Sequence, residues 1–184
     1  MFEVEVKFRV SDVNDIVGKL RSFATYVGND VEEDHYFNHP CRDFATTDEA
    51  IRVRLYGSGK VTVTYKGPRL SGEGKVRVEY NIDVDSASNT IGVLKALGFR
   101  EIAVIRKERA EYTYGNYTIY VDKVNELGDF LEIETLTNDQ GMVGELVKNI
   151  MGFARRNLGI KEDSVEPKTY LELILSKGQA RGNE

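Results

Sequence analysis

Hydrophobic and charged residues alternate one for one at the start of the chain, with Phe2, Val4, Val6 and Phe8 standing between Glu3, Glu5, Lys7 and Arg9. A strand over Phe2–Val10 therefore carries charge on one face and apolar side chains on the other. The same split returns at Arg52 and Arg54 among Ile51, Val53 and Leu55, at Arg77 and Glu79 among Val76, Val78 and Tyr80, and at Glu132 and Glu134 beside Leu131 and Ile133. Lys66 and the pair Lys107 and Arg109 extend the set. Strands are predicted over 2–10, 26–37, 50–56, 61–66, 75–84, 99–112, 117–121 and 130–135. Gly57, Ser58 and Gly59 suit a hairpin turn, as do Tyr114, Gly115 and Asn116, while Gly67, Pro68, Gly72 and Gly74 mark a longer loop.

Three helices are predicted between the strands. Ser11 is the expected N-cap of the first, whose Val13, Ile16, Val17 and Leu20 follow the i, i+3, i+4, i+7 rule. The second runs over 88–97 with Ile91, Leu94 and Leu97 on one face and Gly98 as its stop. In the third, Val143, Leu146, Val147, Ile150, Met151 and Ala154 form a stripe that ends near Gly159, and Met151 and Phe153 read as core rather than ligand-binding. These stripes need an apolar surface, which the uncharged strand faces supply. An antiparallel sheet with one wet face also produces alternation. Here, however, the polar face is almost purely ionic, whereas solvated strand faces ordinarily mix in Thr, Ser and Tyr. The expected architecture is α+β: a closed antiparallel eight-stranded β-barrel, charged faces inward, with helices packed on the outside.

At 184 residues and 41% hydrophobic content the chain can bury one sizeable core. A single domain over 1–176 is expected, followed by a polar, flexible tail over 177–184. The lone Cys41 excludes an internal disulfide, and Glu3 and Glu5 occupy the place where a secretory signal needs a basic and then apolar run. A cytoplasmic location is the expectation. No apolar run approaches the roughly 20 residues that span a bilayer, and a net charge of −5 disfavours nucleic acid as a partner. Neither a membrane nor a nucleic-acid partner is expected. Barrel closure removes sheet edges, which leaves the helical outer surface as the route to a homodimer.

Carboxylate oxygens without a cysteine cluster favour Mg²⁺ or Mn²⁺ over zinc. His35 and His39 have i, i+4 spacing, but they flank Tyr36 and Phe37 and run into Pro40, which reads as strand and loop rather than a zinc-binding helix. Asp34 and His35 are expected at the solvated surface. Glu3, Glu5, Glu132 and Glu134 are the metal candidates. Salt bridging to neighbouring cations is their alternative role, and it explains one carboxylate pair better than four. Lys7, Arg52, Arg54, Lys66, Arg77, Lys107 and Arg109 suit a phosphate chain, the arginines by bidentate hydrogen bonds and the lysines as point charges. Lys168 is a further candidate. Glu79 either orients an arginine or reaches a second metal.

In this order the motifs resemble the CYTH superfamily, the triphosphate tunnel metalloenzymes. Glu3-Val-Glu-Val-Lys7 is similar to the family's ExExK signature, Arg52-Val-Arg54 to its RxR strand and Tyr65-Lys66 to its lysine strand. Arg77-Val-Glu79, Lys107-Glu-Arg109 and Glu132-Ile-Glu134 resemble its RxE, KxR and ExE strands. The stretch from Tyr36 to Arg54, with Thr64-Tyr-Lys-Gly-Pro68 and Tyr170-Leu-Glu-Leu173, looks most like the class IV adenylate cyclase branch. Asn81, Asn38 and Thr169 depart from it, where relatives often carry an acid, an acid and a serine. The resemblance implies a tunnel that binds triphosphate with divalent metal, adds Asp122 to the metal set, and makes Glu3, Glu5 and Lys7 catalytic. The implied reaction converts ATP to cyclic AMP and pyrophosphate. A triphosphatase acting on tripolyphosphate, thiamine triphosphate or a nucleotide is the alternative, and a non-catalytic nucleotide or polyphosphate binder the third reading.

Overall fold

The computed structural model describes residues 2–69 and 77–181. It is an α+β fold of eight antiparallel strands and, among the described residues, five α-helices. The strands are β1 (Phe2–Val10), β2 (Thr25–Asn38), β3 (Ala50–Tyr56), β4 (Val61–Arg69), β5 (Arg77–Val84), β6 (Arg100–Tyr114), β7 (Tyr117–Val124) and β8 (Gly128–Thr137). The helices are α1 (Val13–Phe23), α2 (Phe44–Thr47), α3 (Ala87–Ala96), α4 (Val143–Phe153) and α5 (Tyr170–Arg181). Hydrogen bonding orders the strands β1-β8-β7-β6-β2-β3-β4-β5. Among the described residues that order runs from β1 to β5, so the pairing gives an eight-stranded sheet and does not show the closure into a barrel expected from the sequence.

The chain divides into two compact units. The first holds 2–29 and 108–169 of the described residues. Its β1 pairs with β8 in a register that sets Glu5 opposite Glu134 and Lys7 opposite Glu132, which puts these charges on one face. The other face of β1 is core, where Val4, Val6 and Phe8 pack with Ile119, Val121, Leu131 and Ile133 and with the stripes of α1 and α4. Asp12, not Ser11, caps α1: its backbone is extended and its carboxylate accepts from the Asn14 and Asp15 amides. Past α4 the helix widens over Ala154–Leu158 and stops at Gly159, whose φ of 72° suits a residue without a side chain. Phe153 and Ile150 are core, as their spacing predicted.

The second unit holds 30–69, 77–107 and 170–181. Its β3, β4 and β5 form a meander, and the apolar cluster of Phe37 from β2, Val53 from β3 and Val61 from β4 is covered by Ile91 and Leu94 of α3. Ser86 caps α3 through the Asn89 amide. Gly67 and Pro68, expected in a loop, lie in β4 at a register shift between Lys66 and Arg69, an irregularity where a residue lacking an N–H is tolerated. Gly72 and Gly74 of that loop, and Lys75 and Val76 of the expected strand, lie outside the described residues. Two helices carry no strong sequence period: α2 is four residues long, and α5 runs to Arg181, into the segment expected as a tail. Residues 182–184 lie outside the described residues. No helix among the described residues is long and apolar enough to cross a membrane.

Candidate functional site

In the first unit, β1, β7, β8 and the part of β6 from Glu108 on bring acids and cations together. Glu3 and Glu5 stand two residues apart on β1, and Glu134 lies across from Glu5 on β8. Burial, then the neighbouring charges of Glu3 and Glu5, push the Glu134 carboxyl up to about 7. A hydrogen bond from the Tyr120 hydroxyl, at 3.2 Å, and the Arg109 cation pull in the opposite direction and are outweighed. Three carboxylates thus crowd one another until one of them resists ionisation.

Beside this acidic face stands a tightly bonded group. Arg109 donates from Nε to Asp122 Oδ1 at 2.7 Å and from Nη2 to Oδ2 at 2.5 Å, and Nη2 also reaches Glu132. Lys7, 3% exposed, meets the other oxygen of Glu132 at 3.2 Å and donates to the Lys168 carbonyl at 3.3 Å. The Arg109 guanidinium lies over the Tyr120 ring, 4.1 Å from its centroid. Asp122 and Glu132, both metal candidates from the sequence, are therefore bonded to cations, while Glu3, Glu5 and Glu134 form the crowded face. Lys168 contributes backbone rather than side chain to this group.

The second unit has its own charged face on β2, β3 and β6. Arg54 grips Asp34 with two hydrogen bonds, of 2.5 and 2.7 Å, and reaches Glu32 at 2.8 Å. Lys107 meets Glu32 at 2.9 Å and Asp34 at 3.9 Å, and Arg52 stands 3.6 Å from Asp34. Burial opposes ionisation of Asp34, but the charge of Arg52, the bonds and charge of Arg54 and the charge of Lys107 outweigh it and hold its carboxyl well below the usual range. Sequence reasoning set Asp34 at the solvated surface. It is instead 2% exposed, because β2 is paired on β3 with Asp34 directly opposite Arg54. Glu32 and Asp34 were missed as members of the charged set, although their i, i+2 spacing on a strand is the signal that found the others. His35, on the opposite face of β2, lies between Glu33 and Glu101 at 2.8 and 2.6 Å.

The remaining candidates spread over β3, β4 and β5. Arg52 bonds Thr64 at 3.3 Å, while its buried Nε has no hydrogen-bond partner among the described residues. Lys66 pairs with Glu79 at 2.6 Å, across the β4–β5 register. Arg77 lies 3.6 Å from Asp48. Asn81 accepts from the Thr64 hydroxyl at 2.7 Å, and Asn38 holds Asp43 and the Phe44 amide at the start of α2.

Among the described residues no three His, Cys, Asp or Glu side chains are preassembled as a metal cage. The donor chemistry of Glu3, Glu5 and Glu134 nevertheless fits a hard divalent cation: all donors are carboxylate oxygens, and their mutual repulsion is what such an ion relieves.

Residues 1–170 match the CYTH domain. A Methanocaldococcus jannaschii protein with a provisional adenylate cyclase name is 35% identical, over 94% of this chain and 98% of its own. The adenylate cyclase CyaB of Aeromonas hydrophila is 28% identical over 94% of this chain and 88% of its own. A solved Pyrococcus horikoshii structure superposes with a TM-score of 0.87 at 36% identity, covering 95% of this chain and 99% of that one. A Hippeastrum structure described as having a dominant triphosphatase activity shares the fold at a TM-score of 0.71 and 17% identity, covering 96% and 95%.

Proposed function

The chain belongs to the CYTH-domain family, and we propose that it is a divalent-metal-dependent enzyme acting on a triphosphate, with conversion of ATP to cyclic AMP and pyrophosphate as its reaction. The observation that carries the metal and triphosphate part of this reading is the crowded carboxylate face of Glu3, Glu5 and Glu134 beside the cations Arg109 and Lys7. The cyclase part is supported by the names of the two relatives above.

Glu3, Glu5 and Glu134 would hold the ion, with Mg²⁺ or Mn²⁺ suited to their hard oxygens. A divalent ion bound there supplies positive charge against phosphoryl oxygens and lowers the pKa of a coordinated hydroxyl. Asp122 and Glu132 fix the Arg109 guanidinium in one orientation, which holds its positive charge on this face without a further conformational cost. Lys7 adds a buried point charge on the same face.

In the second unit, Arg54 and Lys107 are positioned by Glu32 and Asp34. Arg52 offers a buried N–H without an acceptor among the described residues, which suits an anionic oxygen. Lys66 and Arg77 complete this cationic set, each beside one acid, Glu79 and Asp48. No protein nucleophile is required, because attack by the ribose 3′-hydroxyl on the α-phosphorus expels pyrophosphate directly.

A triphosphatase reading uses the same residues with water as the attacking group, and the likeness to the Hippeastrum structure favours it only at the level of fold. Incubation with ATP and Mg²⁺ or Mn²⁺, with chromatographic separation of products, discriminates the two. Cyclic AMP with equimolar pyrophosphate supports the cyclase. Orthophosphate without cyclic AMP overturns it in favour of the triphosphatase.

A further inference from the structure

Tyr120 stands between the acids and the cations of the first unit. On β7 it alternates with Ile119 and Val121, which are core, so it shares its face with Thr118 and Asp122. In the β7–β8 register Tyr120 lies opposite Glu132 and Thr118 opposite Glu134, which sets Tyr120 diagonal to Glu134. Its hydroxyl closes that diagonal, donating to Glu134 Oε1 at 3.2 Å. Its ring is covered by Arg109, whose guanidinium carbon lies 4.1 Å from the ring centroid. Arg109 is in turn fixed by Asp122 and Glu132. The phenol is thus held in place from a side that does not involve Glu134.

The contrast between Glu132 and Glu134 shows what this contact does. The two acids stand two residues apart on β8, yet Glu132 is paired with Lys7 and Arg109, whereas Glu134 forms no ion pair among the described residues. The hydrogen bond that Glu134 receives comes from a neutral group. A cationic donor there would neutralise the carboxylate and compete with a metal ion. A phenol, protonated at neutral pH, satisfies one oxygen and orients the group while leaving its negative charge to a bound cation. Glu134 Oε2 accepts no hydrogen bond among the described residues.

We propose that Tyr120 is a positioning residue, whose hydroxyl sets the orientation in which Glu134 meets a divalent cation beside Glu3 and Glu5. The inference rests on the metal-dependent reading above and assigns a role that charge spacing passes over, because Tyr120 carries no formal charge. Carboxylates that ligate metals are held by such outer hydrogen bonds, and losing one typically weakens metal affinity by about 10–100-fold.

The test reads binding rather than turnover. Tyr120→Phe in the full chain removes the hydroxyl and keeps the ring that Arg109 covers. Its Mn²⁺ affinity, read from the electron paramagnetic resonance signal of the free ion, should fall by about tenfold or more. Calorimetric affinity for tripolyphosphate in metal-free buffer should stay within about twofold, and the urea midpoint should not move. Unchanged Mn²⁺ affinity in the variant overturns the proposal and leaves the metal reading standing. An equal loss of both affinities, or a lowered urea midpoint, makes Tyr120 structural and overturns it too. Absence of Mn²⁺ binding by the unaltered protein removes the metal reading itself, and this inference with it.

Discussion

Arg109 and Asp122 form a two-point pair, at 2.7 and 2.5 Å, in which the carboxylate is completely buried and the same guanidinium also holds Glu132. Removing the cation strands a buried negative charge. Arg109→Ala is expected to cost about 3–5 kcal/mol of folding stability. The joint replacement Arg109→Met with Asp122→Leu should cost less than Arg109→Ala alone, since it leaves no uncompensated charge at Asp122. Urea unfolding of the variants reads both. A loss of less than about 1 kcal/mol for Arg109→Ala would show that the buried carboxylate of Asp122 does not depend on this cation.

Glu134 has the opposite electrostatic sign of effect. Its folded pKa, pushed up to about 7 from an ordinary 4.5, means that the metal-free protein loses stability as pH rises from 4.5 through about 7. Glu134→Gln removes that loss, so at pH 8 the metal-free variant should be more stable than the unaltered protein, by on the order of 2 kcal/mol. The same substitution should abolish the rise in melting temperature on adding Mn²⁺. Thermal unfolding at pH 5 and pH 8, with and without Mn²⁺, tests both halves; a variant that is destabilised equally at both pH values contradicts this assignment.

Asp34 behaves conversely. Its pKa is held below the usual 3.8, so the stability it contributes is present above that pH and is lost as pH falls towards its folded value. Acid unfolding should therefore steepen below about pH 4, and Asp34→Asn should flatten that limb while destabilising the protein at pH 7. An unchanged acid limb in the variant would place the acid sensitivity elsewhere.

Arg52 separates binding from folding. Its buried Nε has no acceptor among the described residues, while its partners are an arm's-length Asp34 and Thr64. Arg52→Gln should weaken tripolyphosphate binding about tenfold or more, while changing stability by less than about 1 kcal/mol. Calorimetric titration with tripolyphosphate and Mg²⁺ measures the first and urea unfolding the second. A large stability loss with unchanged affinity would make Arg52 structural.

Strands β1, β3, β5 and β8 were legible from alternation, because charge on one face and apolar side chains on the other admit a single register with the core. The first 9-residue strand, β1, even has the predicted bounds. The helices over 13–23, 87–96 and 143–153 were legible from their stripes. Less legible was anything that depends on one short turn or one opposing residue. Asp12 and Ser11 are both good caps, and only backbone geometry chooses between them. Glu126, in the β7–β8 turn, adopts φ 66°, a conformation its residue type does not advertise. Glu32 and Asp34 carried the right spacing, but a neighbouring His35 and Pro40 made the segment look like surface. Their burial follows from pairing with Arg54 and Lys107, which no local pattern encodes. Among the site residues, the sequence identified the charged positions but not who pairs with whom, so it grouped Asp122 and Glu132 with Glu3, Glu5 and Glu134. The geometry bonds the first two to Arg109 and crowds the last three together.

The most direct test of the central claim is the consumption of ATP by the purified protein in Mn²⁺ or Mg²⁺, run beside an identical reaction in excess chelator and one with the Glu134→Gln variant. Turnover in the presence of metal only, reduced at least a hundredfold in the variant (about 2.7 kcal/mol of transition-state stabilisation), is the predicted result. Turnover that persists in chelator, or that the variant retains in full, would contradict a metal-dependent triphosphate site at the Glu3, Glu5 and Glu134 face.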